Sequence, residues 1–101
     1  MSAADRRCAW IVPADHPALA GHFPDDPLLP ACVILDWLDA CATQAYGSGL
    51  HGADVHAKFL RPARPGDRLD ALLHPAPHGA LDFEVRIGAE LAVRGKRGKP
   101  A

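Results

Sequence analysis

Two residues of the sequence combine a reactive side chain with an unusual setting. His22 lies in a proline-rich segment, and Asp36 stands in the middle of an apolar run. A histidine can take up a proton near neutral pH, and a carboxyl group can supply one. A carboxylate among apolar residues is costly unless it is paired, hydrogen-bonded or lining a cavity. The two residues are therefore candidates for a general base and a general acid, although each taken alone could equally be structural.

The other titratable side chains give weaker signals. Asp39 follows Asp36 at the i,i+3 spacing of one helix face and is expected to be solvated. His74 and His78 are spaced i,i+4, but the prolines around them exclude a helix, so they do not form a helical pair of metal ligands. The sequence therefore predicts neither a metal nor a cofactor. The other histidines outside the His22 segment are expected to be ordinary polar positions: His16, His51 and His56.

A single strong helix is expected from Ala31 to Tyr46. This stretch contains no glycine or proline, and Gly47 follows where a helix would end. Apolar residues surround Asp36 and cover most of the circumference of the first half, which is therefore expected to be buried on nearly all sides. These apolar residues are Val33, Ile34, Leu35, Trp37, Leu38 and Cys41.

Short stretches of strand character flank this helix. One precedes it, followed by a stiff proline-rich loop that reaches Pro30, and four follow it with turn residues between them. This order predicts an α+β domain spanning residues 1–101, with one helix against an antiparallel sheet. The expected strands are Arg7–Val12, Val55–Leu60, Asp67–Leu73, Leu81–Ile87 and Leu91–Gly95.

Composition narrows the class of protein. A net charge of -1 argues against a nucleic-acid binder, and the basic residues from Arg94 to Lys99 are expected to form a solvated tail. The polar start and three cysteines without a plausible disulfide favour a cytoplasmic protein with reduced thiols. No apolar run approaches the roughly 20 residues of a membrane span. A chain of 101 residues is often completed by a partner, so dimerisation is expected.

The segment from Gly21 to Asp36 reads GHFPDDPLLPACVILD, and that from Lys58 to Asp67 reads KFLRPARPGD. The first resembles the GHFPxxPxxPGxxxxE/D signature of the beta-hydroxyacyl-acyl-carrier-protein dehydratases. The second resembles the RFxRPVxPGD segment of the same family. The two motifs occur in the correct order, and the stretch from the start of the first to the end of the second, with the helix between them, spans about half of the chain.

The resemblance implies a hotdog fold, in which an antiparallel sheet wraps around one central helix. It also implies an active site shared across a dimer, with His22 from one subunit and Asp36 from the other. His22 would remove the α-proton of a 3-hydroxyacyl thioester, and Asp36 would help to expel the hydroxyl group as water. Backbone N–H groups at the helix start would face the thioester carbonyl, where a helix N-terminus stabilises negative charge. The residues expected to contact substrate are Phe23, Pro30, Ala31, Cys32 and Ala40.

Three departures separate this sequence from the family pattern. Ala31 replaces the usual glycine after the third proline, Ala40 replaces a glutamine one turn after the acid, and the acid is Asp rather than Glu. Because the family's glycine and glutamine are absent at positions 31 and 40, a second hypothesis is that the chain is a non-catalytic subunit that pairs with an active homologue. A hotdog thioesterase is a further alternative, although such enzymes generally lack the His-Phe-Pro loop that is present here.

The resemblance also implies a thioester partner. The acyl chain would be carried by an acyl carrier protein or by coenzyme A, and the protein would act as a homodimer, a heterodimer or a higher oligomer. Because acyl carrier proteins are acidic, a basic docking surface is expected. Arg61, Arg64 and Arg68 are the candidates, unless they form local ion pairs with Asp67 or Asp70. The segment from Arg94 to Lys99 is the alternative docking surface.

Overall fold

The computed structural model describes residues 4–15 and 28–100. Every predicted element is confirmed: the helix has its predicted bounds, and the strand ends differ by at most two residues. In chain order the elements are β1 (Arg6–Ile11), α1 (Ala31–Tyr46), β2 (Val55–Phe59), β3 (Arg68–Pro75), β4 (Leu81–Ile87) and β5 (Glu90–Arg97), with a short 3-10 turn at Pro77–Gly79.

The five strands form one antiparallel sheet in the order β1-β3-β4-β5-β2. The last three strands pair with their chain neighbours, as hairpin connections favour, whereas β1 and β2 add to opposite sides. Both strands that flank the helix in sequence are therefore edge strands of this sheet. An edge strand leaves one row of backbone groups without a partner in its own sheet.

The residues next to the two ends of α1, Pro30 and Gly47, determine where the helix begins and ends. Pro30 is extended (φ -61°, ψ 146°) just before the first turn, because proline cannot supply the backbone N–H of a helix interior. Gly47 takes the left-handed conformation (φ 79°) and its N–H donates to the carbonyl of Thr43 at 2.9 Å. Glycine adopts this conformation without a steric cost, so the helix ends there.

The core lies between one face of α1 and the inner face of the sheet. The helix contributes Ile34, Leu38, Cys41 and Ala42, which are buried. The sheet contributes alternate residues of its central strands, in keeping with the period of two along a strand. These are Leu69, Ala71, Leu73, Leu81, Phe83, Val85, Ile87 and Val93.

The expectation that the first half of the helix is buried on nearly all sides is wrong for this chain. Ala31, Cys32 and Asp36 are exposed. Asp36 precedes the buried Leu38 by two positions, which at about 100° per residue places them on nearly opposite faces. The apolar run therefore contains a narrow core-facing stripe and an outward-facing stripe that includes the acid.

The expectation of a solvated basic tail from Arg94 to Lys99 is wrong in part: Arg94, Lys96 and Lys99 are exposed, but strand β5 continues to Arg97. Arg97 is only 4% exposed. Its guanidinium donates to the carbonyls of Ser48 (3.1 Å), Gly49 (2.7 Å), Gly79 (3.2 Å) and Gly98 (3.1 Å). Burial lowers the pKa of Arg97 from its ordinary value. The carbonyls compensate for the lost hydration of the charge, so Arg97 joins the loop after α1 to the 3-10 turn and to β5.

Among residues 4–15 and 28–100, no helix is long and apolar enough to cross a membrane.

All three cysteines are free thiols, as predicted. Burial, reinforced by a hydrogen bond with the thiol of Cys8, raises the pKa of Cys41 to about 12. Cys41 is therefore a structural thiol, whereas Cys32 is exposed at the helix start.

Candidate active site

The start of α1 offers unused hydrogen-bond donors. No side chain caps the helix at Pro30, and its first turn contains no acidic residue. Within the described ranges, the backbone N–H groups of Ala31 and Cys32 have no acceptor. The partial positive charge of a helix N-terminus is therefore uncompensated and exposed here. Such an arrangement can bind a carbonyl oxygen that gains negative charge during a reaction.

Asp36 lies just over one turn after these N–H groups. Its side chain is 67% exposed, and its Oδ1 lies 3.3 Å from Nε2 of His51. The sequence suggested a carboxylate that must be paired, hydrogen-bonded or lining a cavity, and the structure shows the first of these. The partner comes from the loop after the helix, at a position that the sequence gave no reason to single out.

Asp39 has a structural task that the sequence did not indicate. Its side chain is only 25% exposed, so the expectation that it is solvated is wrong. Its Oδ1 accepts hydrogen bonds from the backbone N–H groups of Leu50 (2.6 Å) and His51 (3.2 Å). Partial burial opposes ionisation, but these donors and the nearby His51 hold the pKa of Asp39 below its usual range. The carboxylate thus fixes the loop that carries His51.

A small cavity opens beside the helix start. It measures about 260 Å³, and residues of α1 and of the segment after β2 line it, among them Ala31, Ile34, Phe59 and Leu60. A larger depression of about 900 Å³ lies on the other side of the sheet, where His56, Lys58, Arg94 and Lys96 are among its lining. None of the described residues predicted for the site lines that larger depression. Of these two cavities, only the smaller one is lined by a residue of the helix start that was predicted to contact substrate, Ala31.

The remaining predicted substrate residues are distributed around this helix start. Pro30 is half-buried before the first turn, and Ala40 is exposed one turn after Asp36. His22 and Phe23 lie outside the described residues, so the meeting of His22 with Asp36 remains a prediction. Within residues 4–15 and 28–100, no group of His, Cys, Asp or Glu side chains could hold a metal ion.

The three arginines predicted to dock a carrier lie in or beside the loop between β2 and β3. Arg61 is half-buried, donates to the carbonyl of Ile87 at 3.3 Å and lies 3.8 Å from Glu90. Arg68 is exposed and forms the expected local ion pair with Asp70 at 3.1 Å. The backbone N–H of Arg64 donates to the carboxylate of Asp67 at 2.9 Å, which fixes the turn.

Solved structures with the same arrangement identify the fold. A chain of the dehydratase heterocomplex ApeI:P from Xenorhabdus doucetiae superposes with a TM-score of 0.83 at 23% identity, over 96% of this chain and 88% of that chain. An (R)-hydratase from A. caviae gives a TM-score of 0.68 at 16% identity, over 97% of this chain and 96% of that chain. The protein has the hotdog fold, as the sequence predicted.

Similarity in sequence then identifies the family. The ApeI-like family model, described as ApeI dehydratase, matches residues 2–96, so the chain belongs to the ApeI-like dehydratase family. A 3-hydroxyacyl-[acyl-carrier-protein] dehydratase FabZ from Halorhodospira halophila is 35% identical over 96 residues, which are 80% of this chain and 63% of that protein. The FabZ of Anaeromyxobacter sp. is 40% identical over 78 residues, 64% of this chain and 49% of that protein. The chain thus spans about half to two thirds of the length of these relatives.

Proposed function

We propose that this protein dehydrates 3-hydroxyacyl thioesters to trans-2-enoyl thioesters. The observation that carries the proposal is the coincidence, at one end of α1, of an exposed carboxyl group with unused backbone donors at Ala31 and Cys32. Membership of the ApeI-like dehydratase family and the names of the FabZ relatives support it. The substrate is carried by an acyl carrier protein or by coenzyme A, and the reaction needs no cofactor.

The proposed chemistry divides the work among three groups. His22 removes the α-proton, and the electron pair of that C–H bond moves toward the thioester carbonyl. The N–H groups of Ala31 and Cys32 stabilise the resulting enolate charge. The electron pair of the enolate then returns to form the double bond between C2 and C3 as the bond between C3 and the hydroxyl oxygen breaks. The oxygen takes a proton from Asp36 and leaves as water. A return of the proton from His22 to Asp36 resets the site.

Mass spectrometry of the products tests this reaction directly. The purified protein is incubated with a 3-hydroxyacyl carrier-protein thioester and, separately, with the enoyl thioester. A dehydratase removes one water from the first substrate and adds one water to the second. A free acid in either incubation identifies a thioesterase instead, and unchanged substrates contradict both activities.

We further propose that the site is completed by a second hotdog subunit. Asp36 points away from the sheet of its own chain, where another subunit can present its His22. The edge strand β2 is the proposed point of pairing, because Phe59 and Leu60 at its end are 41% and 54% exposed beside the cavity.

Mixing two inactive variants tests the shared site. His22→Ala subunits and Asp36→Asn subunits, exchanged under mild denaturation, form mixed dimers that contain one intact site. Partial recovery of activity is expected. Verified exchange without recovery means that both groups serve from one chain.

The carrier protein is proposed to dock on Arg64 and Arg68, which lie on the loop after β2 and at the start of β3. Replacing both with glutamate should raise KM for carrier-protein substrates about tenfold, because an acidic partner is then repelled. A short soluble thioester should be processed unchanged. Equal losses on both substrates would show that the arginines are structural.

A second candidate is a subunit that works only with a different hotdog partner. The similar chain from Xenorhabdus doucetiae is part of a dehydratase heterocomplex, which favours this candidate, as do Ala31 and Ala40 at positions where the resembled family has glycine and glutamine. Purification alone and after co-expression with a homologous dehydratase separates the two candidates. Activity that appears only in the co-expressed complex supports the second.

A further inference from the structure

We propose that His51 is a positioning residue that orients the carboxyl group of Asp36. The inference rests on the proposed function, because it concerns the acid of that reaction. Nε2 of His51 lies 3.3 Å from Oδ1 of Asp36 and 3.8 Å from Oδ2 of Asp39. In the described part of the chain, Asp36 has no other polar partner. Contact through Oδ1 leaves Oδ2 of Asp36 free to face a substrate.

The backbone of His51 is held firmly enough for this task. Its N–H and that of Leu50 both donate to Oδ1 of Asp39, and the side chain of Leu50 is buried in the core. Gly49 approaches the helix so closely that a Cβ there would lie 2.0 Å from Oδ1 of Asp39. On the other side, Arg97 donates to the carbonyl of Gly49 at 2.7 Å. The loop is thus anchored both to α1 and to β5.

A positioning partner matters because an exposed carboxyl group on a helix can adopt several side-chain rotamers. A general acid must point its proton at the leaving oxygen, and small errors of position reduce rates strongly. The backbone of His51 is held in place, so its imidazole, although 69% exposed, can contact Asp36 from a fixed point and restrict those rotamers. His51 therefore acts on the rate of the chemical step and not on the affinity for substrate.

Kinetics of His51→Ala test this role. We expect kcat to fall about ten- to a hundredfold while KM stays within about twofold, since the substrate itself is not contacted. His51→Gln should recover part of the rate through its amide. Ala40→Gln in the His51→Ala background should also recover it, because glutamine four residues after aspartate on a helix can reach that carboxylate.

The matched control is His74→Ala. His74 also forms an exposed pair with an aspartate, Asp5, but it lies on the far face of the sheet. The control should keep the wild-type kcat. If His51→Ala behaves like this control, or if its loss is a rise in KM that neither glutamine recovers, the inference is wrong.

A spectroscopic measurement separates this inference from the proposed function. The imidazole ¹H–¹³C signals of His51 should shift in Asp36→Asn, whereas those of His74 should not. If the wild-type protein has no dehydratase activity, the proposed reaction fails, and the shift alone decides whether His51 contacts Asp36. Unchanged His51 signals in Asp36→Asn would overturn the contact itself.

Discussion

The two ends of α1 differ in how fully their polar groups are satisfied. At the last turn, the N–H of Gly47 donates to Thr43, and Arg97 donates to the carbonyls of Ser48 and Gly49. At the first turn, the N–H groups of Ala31 and Cys32 have no acceptor within the described ranges, and no side chain caps the helix. We call the last turn of α1 the closed end and its first turn the open end.

The difference suggests that the closed end serves the stability of the fold and that the open end serves the proposed reaction. Unsatisfied donors and an exposed carboxyl group give a small domain little stability, and they persist at a site where a ligand can use them. The closed end supplies the compensation, because a buried guanidinium with four carbonyl partners ties three segments together. Mutations at the two ends should therefore change different measured quantities.

The largest effect is expected from the proposed catalytic pair, His22 and Asp36. His22→Ala and Asp36→Asn should each lower the rate of dehydration at least about a hundredfold. The first removes the proposed base that takes the α-proton, and the second removes the proposed acid that protonates the leaving oxygen. For Asp36→Asn, the free energy of unfolding should stay within about 1 kcal/mol of the wild-type value, as is usual for an exposed position. Steady-state kinetics and urea denaturation measure the two quantities. Wild-type rates in either variant would remove that residue from the mechanism.

Replacing Arg97 at the closed end should lower the free energy of unfolding. Arg97→Met keeps much of the side-chain volume but leaves buried carbonyls without donors, so the free energy of unfolding should fall by about 2–4 kcal/mol. Arg94→Met on the same strand is the control, because Arg94 is exposed, and its effect should remain below about 0.5 kcal/mol. Urea unfolding monitored by tryptophan fluorescence gives both values. Equal effects of the two replacements would mean that the carbonyl contacts of Arg97 contribute nothing.

The smallest effect concerns Asp39, which connects the helix with the loop leading to β2. Its pKa in the folded protein lies below the ordinary value of about 3.9 in an unfolded chain. Ionised Asp39 therefore stabilises the fold above about pH 4, and this contribution disappears as the pH falls through the folded value. Asp39→Asn should cost about 1 kcal/mol at pH 7 and less at pH 3. A cost that is the same at both values of pH would exclude the ionised form as its source.

Local patterns in the sequence were sufficient to predict the helix and the strands. Pro30 and Gly47 define the helix, and turn residues separate the strands, so each bound was predicted within two residues. Strand β5 runs past its predicted end because Gly95 does not stop it. Gly95 instead lets the ring of Phe83 approach, at 2.6 Å from where a Cβ would stand. Such a contact depends on the neighbouring strand and is not visible in the local sequence.

Interactions between distant residues were not predictable in the same way. Asp39 and His51 are twelve positions apart, and Arg97 is 48 positions or more from its partners in the loop after the helix. Periodicity within α1 also did not show that Asp36 faces away from the core. The burial expected for the acid followed from counting apolar neighbours, whereas the sheet covers only one side of the helix.

The long reach of Arg97 has a consequence for the order in which the chain folds. Its donors meet the carbonyls of Ser48 and Gly49 only after β5 has been synthesised and has joined the sheet. Contacts of such separation close late, because a long loop must first be ordered. During synthesis, the helix and the loop after it therefore form before Arg97 can hold them in place. A nascent chain in this interval leaves the core-facing stripe of α1 uncovered, and exposed apolar surface of this kind promotes aggregation.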